Sequence, residues 1–393
     1  MTQRASADTA DPVRIAESLL PGLSARAAAT EANRAMLPET VHELVDSGLF
    51  GLLRPARYGG GEADPRVFFD VQRTLARACP STAWVYGVVG VHAWQLALFD
   101  ARAQDEVWGD APEALISSSY APVGKVEVVP GGYRLSGRWS FSSGSQVCQW
   151  VFLGAPVPTE GGPPDVRTFL LPRADYQIVD VWHTTGLTGT GSQDVVVEGA
   201  FVPEHRTHRF RDGFLCNSPG NAVNRAPCYA LPFGQVFVRS VSTTAIGIAE
   251  GALEAFVASQ RDRKNMADGT WTRDDPSVQE LVGASAAEIH GIKAIMSADL
   301  AELTRAAHER RVVPIEDRVR MRFASADAVV RATAVVDRLY TAAGGRALFP
   351  DHPLNRYFRD AHAARAHYAN GPDRPVRNLG RVLMGGKTMD YFL

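Results

Sequence analysis

Cysteine is scarce in this chain of 393 residues: Cys79, Cys148, Cys216 and Cys228 are the four present, and none has CxxC spacing. A disulfide-dense scaffold and a thiolate metal cluster are therefore excluded, and reduced, buried thiols in a cytoplasmic protein are expected. Lysine is also rare, contributing four of the 41 basic residues. With a net charge of -2 and arginines dispersed among acids, no basic tail or stripe is available to polyanions, and nucleic-acid binding is not expected. Long apolar runs are missing too. The nearest, STAWVYGVVGVHAWQLALF, is interrupted by His92 and Gln95, which suits a buried helix better than a bilayer span of about twenty apolar residues. Arg4, Asp8, Asp11, Arg14 and Glu17 leave no hydrophobic signal segment in the first twenty residues. Neither GxGxxG after an opening strand, nor GxxxxGK[ST], nor HExxH occurs, so a Rossmann nicotinamide domain, a phosphate loop and a helical zinc site have no support.

What is present suits a large core: 45% of residues are hydrophobic and 21% charged. Residues 1–115 read as helical. Asp64-Pro65 supplies a cap and an N1 proline before VFFDVQRTLARA, Leu37-Pro38 opens a shorter helix ending near Ser47-Gly48, and Ser81 is a plausible cap for the helix carrying His92. From 116 to 208 the period changes to short strands. VEVVPGGYRLSGRWSF reads as a hairpin around Pro130-Gly131-Gly132, and CQWVFLG, RTFLLP, YQIVDVW and QDVVVEG continue the series. This segment is expected to be a small antiparallel barrel or sandwich, with the barrel preferred. From 209 to 393 long alanine-rich helical stretches predict an up-and-down four-helix bundle. The fold class is thus α+β, helices flanking a small β domain.

Several clusters invite a chemical reading. Gly186, Gly189 and Gly191 allow a tight bend, with Thr190 and Ser192 offering hydroxyls. Ser142, Ser143 and Ser145 follow Trp139 and Phe141 at a strand end, where serines also serve turns alone. His362 and His367 are five apart, a poor spacing for a metal pair on one helix face. His92 is either a core histidine or a group facing a cavity, and Trp84, Tyr86 and Trp94 are either core or walls for a planar ligand. Arg261 and Arg263 close a helix, where basic residues favour the helix field, and Gly344-Gly345 end another as a helix stop.

The order of segments, with GRWSFSSGS (137–145), HTTGLTGTGSQDVVVEGAFVP (183–203) and RYFRDAHAARAH (356–367), resembles the acyl-CoA dehydrogenase superfamily. More closely it resembles that superfamily's two-component flavin-dependent monooxygenases, the aromatic and polyketide hydroxylases. The resemblance implies a reduced flavin, FMNH2 or FADH2, supplied by a separate NAD(P)H-dependent flavin reductase. It further implies a C4a-hydroperoxyflavin that hydroxylates a phenolic, polyketide or indolic small molecule, and a homotetramer. Carried onto these residues, Ser143 lies beside flavin N5 and C4a, with Ser142 and Ser145 near other polar atoms. His367 approaches the reactive edge, His92 contacts a phenolic substrate, and Thr190 and Ser192 border the flavin. Arg261, Arg263, Gly344 and Gly345 meet its phosphate tail or an adjacent subunit. An acyl-CoA dehydrogenase-like flavin oxidoreductase is the alternative enzyme, but Tyr368 stands where many dehydrogenases carry a glutamate base, and a phenol with a pKa near 10 is a poor replacement. A noncatalytic flavin-binding or interaction protein is the alternative outside catalysis.

Overall fold

The computed structural model describes residues 11–266, 269–388 and 390–393; the expected helical character of residues 1–10 lies outside them. Among the described residues five helices come first: α1 (Pro12–Asn33), α2 (Pro38–Asp46), α3 (Pro65–Ala76), α4 (Pro80–Leu96) and α5 (Ala101–Trp108). Four of them carry proline at the first turn, where its missing N–H costs nothing and its fixed φ suits the helix. Asp11, Asp64 and Asp100 cap α1, α3 and α5 by accepting backbone N–H bonds of 2.9–3.0 Å. The helix carrying His92 starts at Pro80 rather than behind a Ser81 cap, because the proline presets the first turn one residue earlier.

Eight strands follow: β1 (Ile116–Ser119), β2 (Lys125–Val129), β3 (Gly132–Ser142), β4 (Trp150–Val157), β5 (Asp165–Pro172), β6 (Gln177–Val179), β7 (Gln193–Pro203) and β8 (Thr207–Arg209). The expected closed antiparallel barrel does not form. Two open four-stranded sheets replace it, in the orders β1-β4-β5-β8 and β2-β3-β7-β6, and β1 runs parallel to β4. Alternating burial along a strand shows which face is covered, but closure requires edge strands to exchange hydrogen bonds. Here the edge strands β6 and β8 are three residues long, and the edge strand β1 is packed against α4. Leu135, Trp139, Val151, Leu153, Phe169, Val195 and Val197 fill the space between the sheets, and the Trp139 indole N–H donates across it to the Gly154 carbonyl at 2.8 Å.

The remaining helices are α6 (Phe210–Leu215), α7 (Phe233–Gln260), α8 (Pro276–His308), α9 (Ile315–Ala343), α10 (Pro353–Arg365) and α11 (Asp373–Leu383). Helices α7 to α10 pack on one another, and α11, absent from the sequence expectation, lies on α9. By length and composition α7 is apolar enough to cross a membrane; in this fold nearly every residue from Phe233 to Ala249 is buried in protein.

Where α3, α4 and α7 meet, the Gln72 side-chain amide donates to the Ser240 carbonyl at 2.5 Å and to Thr244 Oγ1 at 2.9 Å. Gly87 of α4 sits against this junction, and a Cβ there would overlap the Gln72 amide and crowd the Ser240 carbonyl. Gly87→Ala should therefore force the helices apart and destabilise the protein by ~1–3 kcal/mol, as for other overpacked cores. A chemical-denaturation midpoint equal to that of wild type would show that the crossing tolerates the methyl group.

Candidate functional site

The serine turn after β3 and the residues after α10 converge on Trp84 of α4. Phe141 takes φ 68° and Gly144 φ 70°, a reversal that seats Ser143 against α4. Positive φ is unusual for a bulky residue and belongs to sites that the surrounding structure over-determines. The Trp84 indole N–H donates to Ser143 Oγ at 3.1 Å, and the Trp84 ring meets the His367 ring edge-on with centroids 5.6 Å apart. Phe141 itself is exposed and stands perpendicular to Trp182, centroids 6.1 Å apart.

The hydroxyls form a chain whose direction can be worked out. Thr190 Oγ1 donates to the Leu187 carbonyl at 2.8 Å, so its single proton is committed. Ser192 Oγ, 2.7 Å from Thr190 Oγ1, must donate to it, and Ser143 Oγ, 2.7 Å from Ser192 Oγ, must donate in turn. Ser143 is left as an acceptor, with one lone pair taken by Trp84 and one free. Ser142 and Ser145 on either side are fully buried, and their hydroxyls have no protein partner.

His367 caps the short turn Tyr368–Asn370: its Nδ1 accepts the Ala369 N–H at 3.1 Å. The ring proton of the neutral imidazole therefore sits on Nε2. Burial, reinforced by the Arg322 guanidinium, pushes its pKa down to about 4, so the ring is a neutral Nε2–H donor at physiological pH. Arg322 Nη2 donates to the Ala369 carbonyl at 2.8 Å, and Asn370 Nδ2 donates to the carbonyls of Val241 (3.1 Å) and Ala364 (2.8 Å). These bonds pin the His367 turn to α9 and α7. His362 turns elsewhere, pairing with Asp337 at 2.9 Å.

Asp360 completes the frame, and the sequence reading missed it. Its fully buried carboxylate accepts the Leu187 N–H at 2.6 Å, and Arg359 Nη1 donates to the Thr185 carbonyl at 2.7 Å. The Arg-Asp pair inside RYFRDAHAARAH was the available signal. Burial raises the Asp360 carboxyl to about 7, opposed by the Leu187 amide.

His92 lies eight residues along α4 from Trp84, about 12 Å of helix rise. It is buried, and its Nδ1 is 2.5 Å from the Ile116 carbonyl, so the ring proton sits there and Nε2 is an acceptor without a protein partner. Burial holds its pKa down at about 4. Trp84 and Val88 of α4 are 5% and 8% exposed, as are Ser143 (8%) and Phe237 of α7 (8%), whereas Val85 and Tyr86 between the α4 pair are sealed. Tyr120 stands edge-on to both His92 (6.0 Å) and Phe237 (4.8 Å).

Four expected cofactor residues do not join this cluster within one chain. Arg261 and Arg263 lie past the end of α7, with Arg261 about 30 Å of helix rise beyond Val241; Arg261 pairs with Asp262, and Arg263 donates to Gln260. Gly344 and Gly345 end α9, which runs parallel to α7, as Gln235 to Arg318 and Ser242 to Ser325 bonds show, so they share that remote end. A separate cavity of about 190 Å³, lined by Arg66, Arg73, Arg239 and Lys293 among others, opens on the α8 side of α7.

Comparison with known proteins places this geometry. The acyl-CoA dehydrogenase N-terminal domain pattern matches residues 15–109, and the C-terminal domain pattern matches residues 240–372. The chain is 41% identical over 393 residues to the flavin-dependent monooxygenase oxygenase subunit HsaA of Mycobacterium tuberculosis, covering 99% of this chain and 100% of that one. The chain belongs to the flavin-dependent monooxygenase oxygenase subunits. It is also 32% identical over 366 residues to the FADH(2)-dependent resorcinol hydroxylase oxygenase component of Rhizobium sp., covering 91% of this chain and 90% of the relative. The crystal structure of the 3-HSA hydroxylase from Rhodococcus sp. RHA1 superposes with a TM-score of 0.94 at 39% identity, covering 98% of this chain and 100% of that one. As in that family, the chain is an oxygenase component that works with reduced flavin, and its acyl-CoA dehydrogenase fold carries no dehydrogenase base at Tyr368, which is exposed and bonded to Arg374.

The residues fit a flavin. An isoalloxazine needs hydrogen-bond partners along one edge and flat walls on its faces, and the cluster supplies an acceptor at Ser143, a donor at His367 Nε2, unpartnered hydroxyls at Ser142 and Ser145, and indole and phenyl rings from Trp84, Trp182 and Phe141.

Asp360 gives this frame a pH signature. The unfolded carboxyl ionises near 3.8 and the folded one near 7, so its contribution to stability is full below pH 4 and is lost as pH rises to 7. Asp360→Asn keeps an acceptor for the Leu187 amide but cannot ionise. Between pH 5 and pH 8 its stability should gain on wild type by ~1–3 kcal/mol; parallel stability curves for the two proteins would contradict this.

Proposed function

We propose that this oxygenase component hydroxylates a phenolic small molecule, with Ser143 and His367 at the reactive edge of the reduced flavin and His92 anchoring the phenol. The observation that carries it is Trp84, which joins Ser143 at 3.1 Å and His367 at 5.6 Å, with the unpartnered Nε2 of His92 about 12 Å further along the same helix. Reduced flavin, when bound, supplies the electrons and the carbon at which oxygen is activated.

The protein's part follows from hydrogen-bond polarity. Ser143 has an acceptor to offer and no spare proton, which suits the ring N–H that a reduced isoalloxazine carries and an oxidised one lacks. His367 donates through Nε2–H and carries no charge, so it offers a hydrogen bond to an oxygen atom at that edge without readily surrendering a proton. His92 presents an acceptor to a phenolic O–H. With its pKa near 4 against about 10 for a phenol, it accepts a hydrogen bond and not the proton, which orients the ring and raises its electron density. Trp84, Val88 and Phe237, all nearly buried, make these surroundings apolar and exclude water from the transfer.

A separate NAD(P)H-dependent reductase supplies the reduced flavin, in keeping with the oxygenase-subunit relatives. We further propose a cytoplasmic homotetramer. The exposed Arg261, Arg263, Gly344 and Gly345 at the remote end of the bundle would then receive the flavin tail of a neighbouring copy. The free thiols of all four cysteines suit a reducing compartment.

Ser143→Ala and His367→Ala should raise hydrogen peroxide released per reduced flavin consumed at least several-fold while product falls, with melting temperatures near that of wild type. His92→Phe should instead raise the KM for phenols about tenfold, the weight of one buried hydrogen bond. Wild-type coupling in both of the first two variants would remove Ser143 and His367 from the chemistry.

A further inference from the structure

The cavity on the α8 side of α7 lies apart from the Ser143 and His367 cluster. Arg239, Thr243 and Ile246 line it from α7, at the i, i+4, i+7 spacing of one helix face. Arg239 stands about 160° around the helix from Phe237, which meets Tyr120 on the other side. Phe69 of α3 and Met296 and Leu300 of α8 give the cavity an apolar wall, while Ser297 and Lys293 of α8 line it from exposed or half-exposed positions.

Arg239 is 1% exposed. Its Nη1 donates to the Gln235 carbonyl at 2.8 Å and to Gln235 Oε1 at 2.9 Å, whereas Nε and Nη2 have no hydrogen-bond partner among the described residues. Asp299 Oδ2 stands 3.9 Å from Nη2, beyond hydrogen-bond reach, and Asp299 Oδ1 already accepts from Arg320 at 2.8 Å. Around the rest of the cavity the cations are matched: Arg73 and Lys293 share Glu250, Arg73 also holds Asp70, and Arg66 holds Asp64. Burial, opposed by Asp299 and reinforced by Arg322 and Arg320, lowers the Arg239 pKa to about 10, so the group stays charged at neutral pH. A buried cation with two unpaired N–H groups is costly, and folded proteins give such groups a partner. Nε and Nη2 lie on one side of the guanidinium fork, the side whose parallel N–H groups receive both oxygens of a carboxylate.

We propose that this cavity is a ligand site separate from the flavin cluster, and that it takes a small carboxylate carrying one ring or a short chain. The carboxylate sits on Arg239 Nε and Nη2, and the apolar part lies against Phe69, Ile246, Met296 and Leu300. The volume of about 190 Å³ suits that size: ~150 Å³ admits benzene, and drug-sized ligands need roughly 300 Å³ or more. The site does not depend on the phenol chemistry proposed above.

Calorimetric titration of the full chain with benzoate, benzamide and inorganic phosphate tests the assignment. Benzoate should bind wild type about tenfold or more tightly than either of the others, because benzamide keeps the ring without the charge and phosphate the charge without the ring. Arg239→Gln should weaken benzoate binding about tenfold or more. Ser297→Trp, which fills the cavity from an exposed position, should do the same, while His92→Phe leaves benzoate affinity within about twofold of wild type. If Arg239→Gln fails to fold, Ser297→Trp decides. A wild type that binds no benzoate overturns the site, and benzamide or phosphate binding as tightly as benzoate overturns the ligand class. Benzoate affinity unchanged in Ser297→Trp also overturns the site, and its simultaneous loss in His92→Phe would assign the benzoate to the phenol anchor instead.

Discussion

The hydrogen bond from the Leu187 amide to the buried Asp360 carboxylate is the joint on which the site depends. It ties a glycine-rich loop of the β domain to α10 of the bundle, two parts of the chain 173 residues apart. On one side of this joint the Leu187 carbonyl receives the Thr190–Ser192–Ser143 hydroxyl chain. On the other, α10 runs on to the turn that carries His367. Hydroxyls are weak individually, but a chain with a fixed proton direction presents its last oxygen with a defined polarity. Without Asp360 the loop would leave a buried donor unmatched, and Ser143 would lose the orientation that makes it an acceptor.

Two histidines with similarly lowered pKa values end with opposite hydrogen-bond polarity. Burial lowers both to a pKa near 4 and keeps both neutral. Their tautomers differ because their backbone partners differ. His92 donates its Nδ1–H to a carbonyl and keeps Nε2 as an acceptor, whereas His367 accepts an amide N–H at Nδ1 and keeps Nε2–H as a donor. The anchoring and oxygen-stabilising parts proposed for them would follow from main-chain geometry, with the polarity of each ring set by the bond its hidden nitrogen makes.

Much of this was legible before the structure. Two helix starts followed from Asp64-Pro65 and Leu37-Pro38, the hairpin from Pro130-Gly131-Gly132, and the serine and histidine candidates from GRWSFSSGS and RYFRDAHAARAH with the family resemblance. Closure of the β domain was misread, because alternation along β3 and β7 is the same in a barrel and in two stacked sheets, and only the meeting of edge strands distinguishes them. Asp360 went unnoticed because an acidic residue next to an arginine on a helix looks like a surface pair until the loop that buries it is known. Trp84 was visible only as one aromatic among several.

The amino-acid sequence by itself determined the long helices and the run of short strands, since these depend on local spacing, and through the family resemblance it pointed to the residues available for flavin work and to Tyr368 in place of a carboxylate base. Tertiary structure alone decided which of those residues meet and which nitrogen of each histidine holds its proton. The physical reason is that hydrogen-bond direction and desolvation are properties of neighbours distant in sequence. A hydroxyl or an imidazole acquires its role only from the carbonyl, amide or indole that folding brings against it.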